Sequence, residues 1–500
     1  MVRKTPSIIL LVLILCAGSV AQENLLQNGG FEALAGEAVA KWTQPDYWAG
    51  SLATGDESRS GKRAAVLGAN ERDGRHWGRI HSRQITVTPG LRYRFSAWAK
   101  GTGEVKLGVV HYRRQPSEKP RYETPWQDEP IALTGDWQET LYEFEPFDAE
   151  VSKIAVMIEV EGVGVTATLD DASVDVLRQS EGALEVEPAY VMLAAGNALD
   201  VTVRATGTDT VSVIENEITE LALSDEGEAT RAVTAGEETG LQMLHFASAE
   251  LGEARTVYVD VVDAATHDAF SQAAAATDVA DGSRLLFLGD SLTDFHRGFN
   301  YTDQVAGWVS RTHQNTSFRN AGVGGDFITR TRDRMDGVAT VYRPGAYEGL
   351  FEPVPTHVFI SLGHNDSKLR SSTEWTESVV PPAEFEATYR EVIKRIQDET
   401  GAKVVLLSST SSVYEITEAN AKKQLESRGS ASLFGKPDVL ENYNAIMKRL
   451  AEELGCGYVD IYDPTRAHPD KPSIFMTDGV HVNLEGNHVL ALALLRYLGE

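Results

Sequence analysis

The sequence predicts a multidomain protein: an N-terminal β-sandwich of jelly-roll type, an immunoglobulin-like β-sandwich in the middle, and a C-terminal α/β domain on a parallel sheet. Three observations carry this. Five hundred residues amount to about three domains at roughly 150 each. As far as about residue 263, apolar residues alternate in short runs broken by Gly, Pro and Asp, the period of strands that bury one face. From Arg284 onward, continuous apolar runs alternate with stretches of helical spacing, as in a sheet covered on both faces.

At 42% apolar and 24% charged, the composition is that of an ordinary globular protein. A formal charge of -27 argues against nonspecific binding to nucleic acid or anionic membranes. It also weighs against a polyanionic substrate, unless a local basic patch overrides it. The two cysteines, Cys16 and Cys456, provide neither a disulfide framework nor a cysteine-ligated zinc site. Nothing in the sequence calls for an obligate protein partner.

Residues 1–21 read as a signal peptide. Arg3 and Lys4 precede an apolar run from Ile8 to Ala17, and Ser19 and Ala21 hold the small-residue positions before a cut ahead of Gln22. The run is too short to span a bilayer, which takes about 20 apolar residues, and no later stretch qualifies. The mature chain is therefore expected to be secreted or periplasmic. Lipid anchoring through Cys16 is the rival reading, weakened by the bulky Leu15 before it. Cys456, in an apolar-rich segment, reads as buried and inert.

Residues 22–178 form the first domain, with strand-like runs such as Arg92–Trp98 and Lys153–Val160. Six of the eight tryptophans fall here, biasing the segment toward a surface that stacks ligands. Trp98 and Trp137, inside strand-like runs, are assigned to the core; Trp42, Trp48, Trp77 and Trp126 are the candidates for substrate contact. The opening Asn24-Leu25-Leu26-Gln27-Asn28-Gly29-Gly30-Phe31-Glu32, the central Pro89-Gly90-Leu91-Arg92-Tyr93 and Ser96-Ala97-Trp98-Ala99-Lys100, Gly135-Asp136-Trp137 and the closing Leu169-Asp170-Asp171-Ala172-Ser173-Val174 run through the whole segment. It resembles the jelly-roll carbohydrate-binding modules attached to xylanases. The resemblance implies a sugar ligand and a structural calcium, with Glu32 and Asp171 among its oxygen ligands.

Residues 181–263 are β-rich again, without Trp and with few residues suited to catalysis, as in a passive immunoglobulin-like spacer. Residues 264–282, rich in Ala and Asp, read as a linker or a short helix leading into the last domain.

In residues 283–500 the buried runs Leu285–Leu288, His357–Leu362 and Val404–Leu407 alternate with helical stretches at Pro382–Thr400, Val439–Leu454 and about Leu484–Leu498. Functional residues gather at the carboxyl ends of such strands. Four blocks fit that placement: Gly289-Asp290-Ser291-Leu292-Thr293, Asn320-Ala321-Gly322-Val323-Gly324-Gly325-Asp326, Gly363-His364-Asn365-Asp366 and Asp478-Gly479-Val480-His481. A serine just past a strand exposes its hydroxyl, and the backbone N–H groups of the following helix favour a developing anion. A serine needs a positioned base, and an imidazole held by a carboxylate three residues away is such a base. Each block alone is common; all four in order are not.

The constellation resembles the SGNH hydrolases, the GDSL-type esterases, over residues 283–500. The resemblance implies a flavodoxin-like α/β domain and a Ser-His-Asp triad: Ser291 as nucleophile, His481 as base and Asp478 as its orienting carboxylate. It implies an oxyanion hole from the Ser291 N–H, the Gly325 N–H and the Asn365 amide, with Gly325 preferred over Gly324 on register alone. His364 is a second histidine shaping the substrate pocket, and Asn320 ties loops together. No cofactor is implied for catalysis, and the absence of Gly-x-Ser-x-Gly counts against the α/β-hydrolase elbow.

A sugar-binding module joined to a serine esterase in an exported chain points to an ester on a polysaccharide. The expected activity is removal of O-acetyl groups from a plant or algal polysaccharide of xylan or pectin type through an acyl-enzyme. The alternatives are a lipolytic or thioesterase-type acyl hydrolase, or a non-catalytic sugar-binding protein. The long polar loop from about Tyr414 to Pro437, with Lys422, Lys423 and Arg428, is expected to line the cleft.

Overall fold

The computed structural model describes residues 24–500 apart from 37, 114–118, 147, 339–342 and 344. The segment read as a signal peptide, with Cys16, lies outside the described residues. The chain divides into two units, one of them Met1–Leu184 with Ala205–Gly227 and Phe246–Ala254, the other Glu185–Arg204, Glu228–His245 and Arg255–Glu500.

Two antiparallel sheets make up most of the first unit. Across one, the strands Tyr122–Glu123, Glu104–Arg113, Val151–Glu161, Arg75–Ser82 and Trp42–Thr43 follow one another. Across the other run Gln138–Phe144, Tyr93–Gly101, Thr166–Val176, Ala64–Gly68 and Ser51–Gly55. Alternate residues of both enter one core: Val105, Leu107, Val109, Ile154, Val156, Ile158 and Val160 from the first, and Tyr93, Phe95, Ala97 and Ala99 from the second. Side chains of a strand alternate between faces, so this pattern makes a sandwich.

The same alternation corrects the assignment of three tryptophans. Trp98 has the opposite parity to Phe95, Ala97 and Ala99 and lies outward, half-buried under the Arg59 guanidinium at 3.7 Å from its ring centroid. Trp137 is also only half-buried. Trp42 is the core member instead: 5% exposed, packed on Phe31, with Nε1 donating to the Asn28 carbonyl at 3.1 Å.

Residues 181–263 are β-rich and divided between the units. Within the second unit, Tyr190–Ala194 pairs in parallel with Tyr258–Val262, and Arg204 to Ala198 pair antiparallel with Glu228 to Thr234. The hairpin Thr210–Ile214 with Ile218–Ala222 belongs to the first.

The rest of the second unit is α/β. Among the described residues its main sheet runs, in space, Ser317–Asn320, Arg284–Gly289, His357–Ser361, Lys403–Leu407 and Gly457–Val459, with all neighbours parallel. Numbered along the chain this is the order 2-1-3-4-5 of flavodoxin-like folds. The helices are α1 (Ala264–Ala275), α2 (Ser291–Asp294), α3 (Tyr301–Thr312), α4 (Ile328–Met335), α5 (His364–Ser367), α6 (Pro382–Thr400), α7 (Tyr414–Arg428), α8 (Pro437–Leu454), α9 (Tyr462–Arg466) and α10 (Leu484–Leu498).

The continuous apolar strands serve two cores. Leu285, Phe287, Phe359, Val405 and Leu407 face α1, α3 and α10. Leu286, Leu288, Val358, Ile360, Val404 and Leu406 face α6 and α8. The stretch before the first strand is therefore helical: Asp263 caps α1 by accepting the Thr266 N–H at 2.9 Å, and Phe270, Ala273 and Ala274 enter the core. Between the first and third strands of the sheet the order reverses, opening a crevice at their carboxyl ends. Among the described residues no helix is long and apolar enough to cross a membrane.

Candidate active site

Ser291 stands at that crevice, on the first residue of α2 directly after the strand Arg284–Gly289. Asp290 is the cap, its Oδ1 accepting the Leu292 N–H at 3.0 Å. The turn is tight: a Cβ on Gly289 would lie 2.1 Å from Thr293 Oγ1. The Ser291 Oγ lies 2.8 Å from His481 Nε2, and His481 Nδ1 lies 2.6 Å from Asp478 Oδ2. The Asp478 carboxylate fixes the tautomer: it accepts the hydrogen bond of Nδ1–H, leaving Nε2 to accept from the serine hydroxyl.

Asp478 Oδ1 also accepts the N–H groups of Val480 and His481, at 2.9 and 3.0 Å. Partial burial opposes ionisation, but the His481 hydrogen bond and these two N–H groups outweigh it and hold the carboxyl down at about 2. The three-residue spacing closes because Gly479 takes φ +76°, placing it against the Val413 carbonyl and Ile416. Phe295 stacks on the His481 ring at 4.8 Å between centroids.

Three donors are the candidates for holding an oxyanion. The Ser291 N–H begins α2. The Gly324 N–H is committed to Asp294 Oδ2 at 2.9 Å, whereas no acceptor takes the Gly325 N–H among the described residues. Asn365, on α5 after the strand His357–Ser361, directs Nδ2 to Asp290 Oδ2 at 3.3 Å, and its Oδ1 accepts from Lys368 Nζ at 3.1 Å. The lysine was not singled out from the sequence, yet it orients the amide with its N–H₂ away from the ammonium. Asn320 binds the Thr293 carbonyl and the Gly322 N–H, at 2.7 and 3.0 Å, tying the loops together.

His364 does not line a substrate pocket. It is 2% exposed, its Nε2 meets the Thr410 carbonyl and hydroxyl at 2.8 and 3.0 Å, and burial pushes it down to about 4, so it stays neutral. Beneath the site two carboxyls are fully buried. Burial raises Asp290 to about 6. Asp366 rises to about 7, from burial and the nearby Asp290, although its Oδ1 accepts the Ile328 N–H at 2.8 Å.

In the first unit, Trp48, Trp77 and Trp126 gather around one residue on the outer face of a sheet. The Arg79 guanidinium lies 5.1, 4.8 and 4.7 Å from their rings and is held by Glu159. Trp126 lies flat on Gly108, where a Cβ would come within 2.6 Å of its ring. Trp42 faces the core and is absent from this group.

Glu32 and Asp171 meet the same loop. Glu32 Oε1 accepts the Lys62 and Arg63 N–H groups at 2.6 and 3.0 Å, and no donor reaches Oε2 among the described residues. Both Asp171 oxygens are taken, by Arg59 Nη1 and Ser60 Oγ at 2.5 Å each. Glu32 thus has a free oxygen for a cation, and Asp171 has one only if Arg59 moves. Among the described residues no group of three His, Cys, Asp or Glu side chains is placed to hold a metal.

Residues 287–489 match the GDSL-like lipase/acylhydrolase family, and residues 23–168 match a carbohydrate binding domain. An acetylxylan esterase of Geobacillus stearothermophilus is 24% identical over 242 residues, 44% of this chain and 96% of that protein. The isoamyl acetate-hydrolyzing esterase 1 homolog of Mus musculus is 26% identical over 223 residues, 43% of this chain and 82% of that protein. Among solved structures, Axe2, an acetylxylan esterase from Geobacillus stearothermophilus, is 22% identical with a TM-score of 0.34, covering 44% of this chain and 96% of that one.

Proposed function

We propose that this chain, which carries a carbohydrate-binding domain and a GDSL-type carboxylic ester hydrolase domain, removes O-acetyl groups from a plant or algal polysaccharide of xylan or pectin type. The observation that carries the reading is the continuous relay from Ser291 Oγ through His481 to Asp478, with links of 2.8 and 2.6 Å. His481 Nε2 takes the hydroxyl proton as Ser291 Oγ attacks the acetyl carbonyl, and Asp478 stabilises the imidazolium. The tetrahedral oxyanion is held by the Ser291 N–H, the Gly325 N–H and the Asn365 amide. His481 then protonates the departing sugar oxygen, leaving an acetyl-serine. Water attacks this ester with His481 again as base, and acetate leaves as Ser291 recovers its proton.

The acetyl choice is supported by the acetylxylan esterase and the acetate-hydrolysing esterase among its relatives. In this reading Trp48, Trp77 and Trp126 face the polymer and raise the enzyme's concentration at its surface. The remaining assignments belong to the same proposal: export after removal of residues 1–21, a sugar-binding domain at 22–178, an immunoglobulin-like spacer at 181–263, a connecting segment at 264–282, a catalytic domain at 283–500, and a calcium ion at Glu32 and Asp171, with Arg59 moved aside. A rise in Tm with added calcium, lost in Glu32→Gln, tests the last.

The decisive experiment measures acetate release from acetylated xylan and acetylated pectin by the parent and by Ser291→Ala. Release by the parent alone is expected. Equal release by both removes Ser291 as nucleophile, and activity confined to longer acyl esters moves the reading to a lipolytic enzyme.

A further inference from the structure

Beside the triad lies a cleft of about 360 Å³, whose walls include Asn420, Lys423, Arg428, Phe434, Asp478 and His481. One wall is α7, where the expected loop is instead helical from Tyr414 to Arg428; the other is the turn that carries the triad's histidine and carboxylate. They are joined directly, since Asn420 Nδ2 donates to the Asp478 carbonyl at 3.4 Å. A group held in this cleft therefore lies against His481, whose Nε2 meets Ser291. The volume suits a small ligand or one sugar unit of a chain.

The charge of the cleft runs against that of the molecule. The chain carries 73 acidic against 46 basic side chains, yet Lys423 and Arg428 have no carboxylate partner among the described residues. Their neighbour Lys422, turned off this wall, is paired with Glu418 at 2.9 Å. The one carboxylate in the cleft is Asp478, already bonded to His481 and to two N–H groups. The Phe434 ring adds an apolar surface, with the Lys368 ammonium 5.1 Å from its centroid. Two unpaired cations, amides and one aromatic ring are the means by which a sugar carboxylate is held: a fork from arginine, a point charge from lysine and a face for the ring.

We infer that the cleft between α7 and the triad turn is a subsite for a uronic acid, so that the acetyl group removed lies on a glycan bearing carboxylates near the ester. This rests on the esterase reading above and narrows its substrate to an acidic polysaccharide. The local positive charge offsets the repulsion that the acidic surface imposes on such a polymer.

The test compares kcat/KM for acetylated oligosaccharides that carry a uronate, from glucuronoxylan and pectin, with neutral acetylated xylan and mannan fragments. The parent is expected to favour the uronate-bearing set about tenfold through KM, an advantage that shrinks at high salt as charges are screened. Lys423→Gln combined with Arg428→Gln is expected to lower that ratio roughly three- to tenfold, as loss of two partly exposed ion pairs implies. Equal efficiency on both sets, or a ratio that the double variant leaves unchanged, overturns the subsite. The salt dependence is read on the parent, so the outcome does not hang on the variant's folding. Silence of the parent on every acetyl ester, a simple aryl acetate included, overturns the esterase reading and the subsite together. Hydrolysis of that aryl acetate with no uronate preference sinks the subsite alone.

Discussion

Gly324 and Gly325 are adjacent and chemically identical, yet only one has a free N–H. Asp294 takes the first, and among the described residues no acceptor takes the second. In the proposed mechanism Asn365 supplies the third oxyanion donor, and Lys368 holds its oxygen. Asn365→Ala is therefore expected to lower kcat by about 10²–10³ with little change in KM, measured on a soluble acetyl ester. Asp366, beneath the same loop, is raised from its ordinary 3.8 to about 7, and its Oδ2 has no partner. The folded chain holds this proton more tightly than the unfolded one, so the contribution to stability is full below pH 3.8 and is lost as pH rises through about 7. Asp366→Asn removes the titration. Its Tm relative to the parent should climb between about pH 4 and 8, and a difference constant with pH would refute the assignment.

At the scale of elements, strand parity decides which tryptophans face outward. On Arg75–Ser82, Ile80 enters the core while Trp77 and Arg79 face outward. On Glu104–Arg113, Gly108 leaves the same outer face bare, and Trp126 settles onto it. A methyl group there would lift the ring. Gly108→Ala is expected to weaken retention on insoluble acetylated polysaccharide while leaving turnover of a small acetyl ester unchanged, and a pull-down beside a solution assay separates the two. The helical elements act in the same way on the catalytic side. The strand order reverses beside Arg284–Gly289, so α2 and α5 bring Ser291 and Asn365 to one crevice although 74 positions separate them in the chain.

Over the whole molecule, what the sequence determined was everything written in local pattern. Period-two runs specify the sandwich, continuous apolar runs specify a sheet with two covered faces, and the four blocks at strand ends name Ser291, Asn365, Asp478 and His481. Burial and partner choice were not local. Trp98 sits in a strand-like run and still points outward, because only the register of the folded sheet says which parity is inside. His364 neighbours the oxyanion asparagine in sequence yet is turned into the protein against Thr410, a partner 46 residues away. Glu159, which clamps Arg79 amid three rings, carries no sequence signature, since it works through a residue 80 positions away, and Lys368 stands only three residues after Asn365 but meets its amide oxygen through the turn that the folded chain takes after α5. The sequence by itself thus determined the N-terminal sandwich, the C-terminal α/β class and the candidate reacting groups, which depend on residue type and spacing. Only the tertiary structure decided which donors stay free, which rings are exposed and which cations remain unpaired, because those depend on what long-range packing brings alongside.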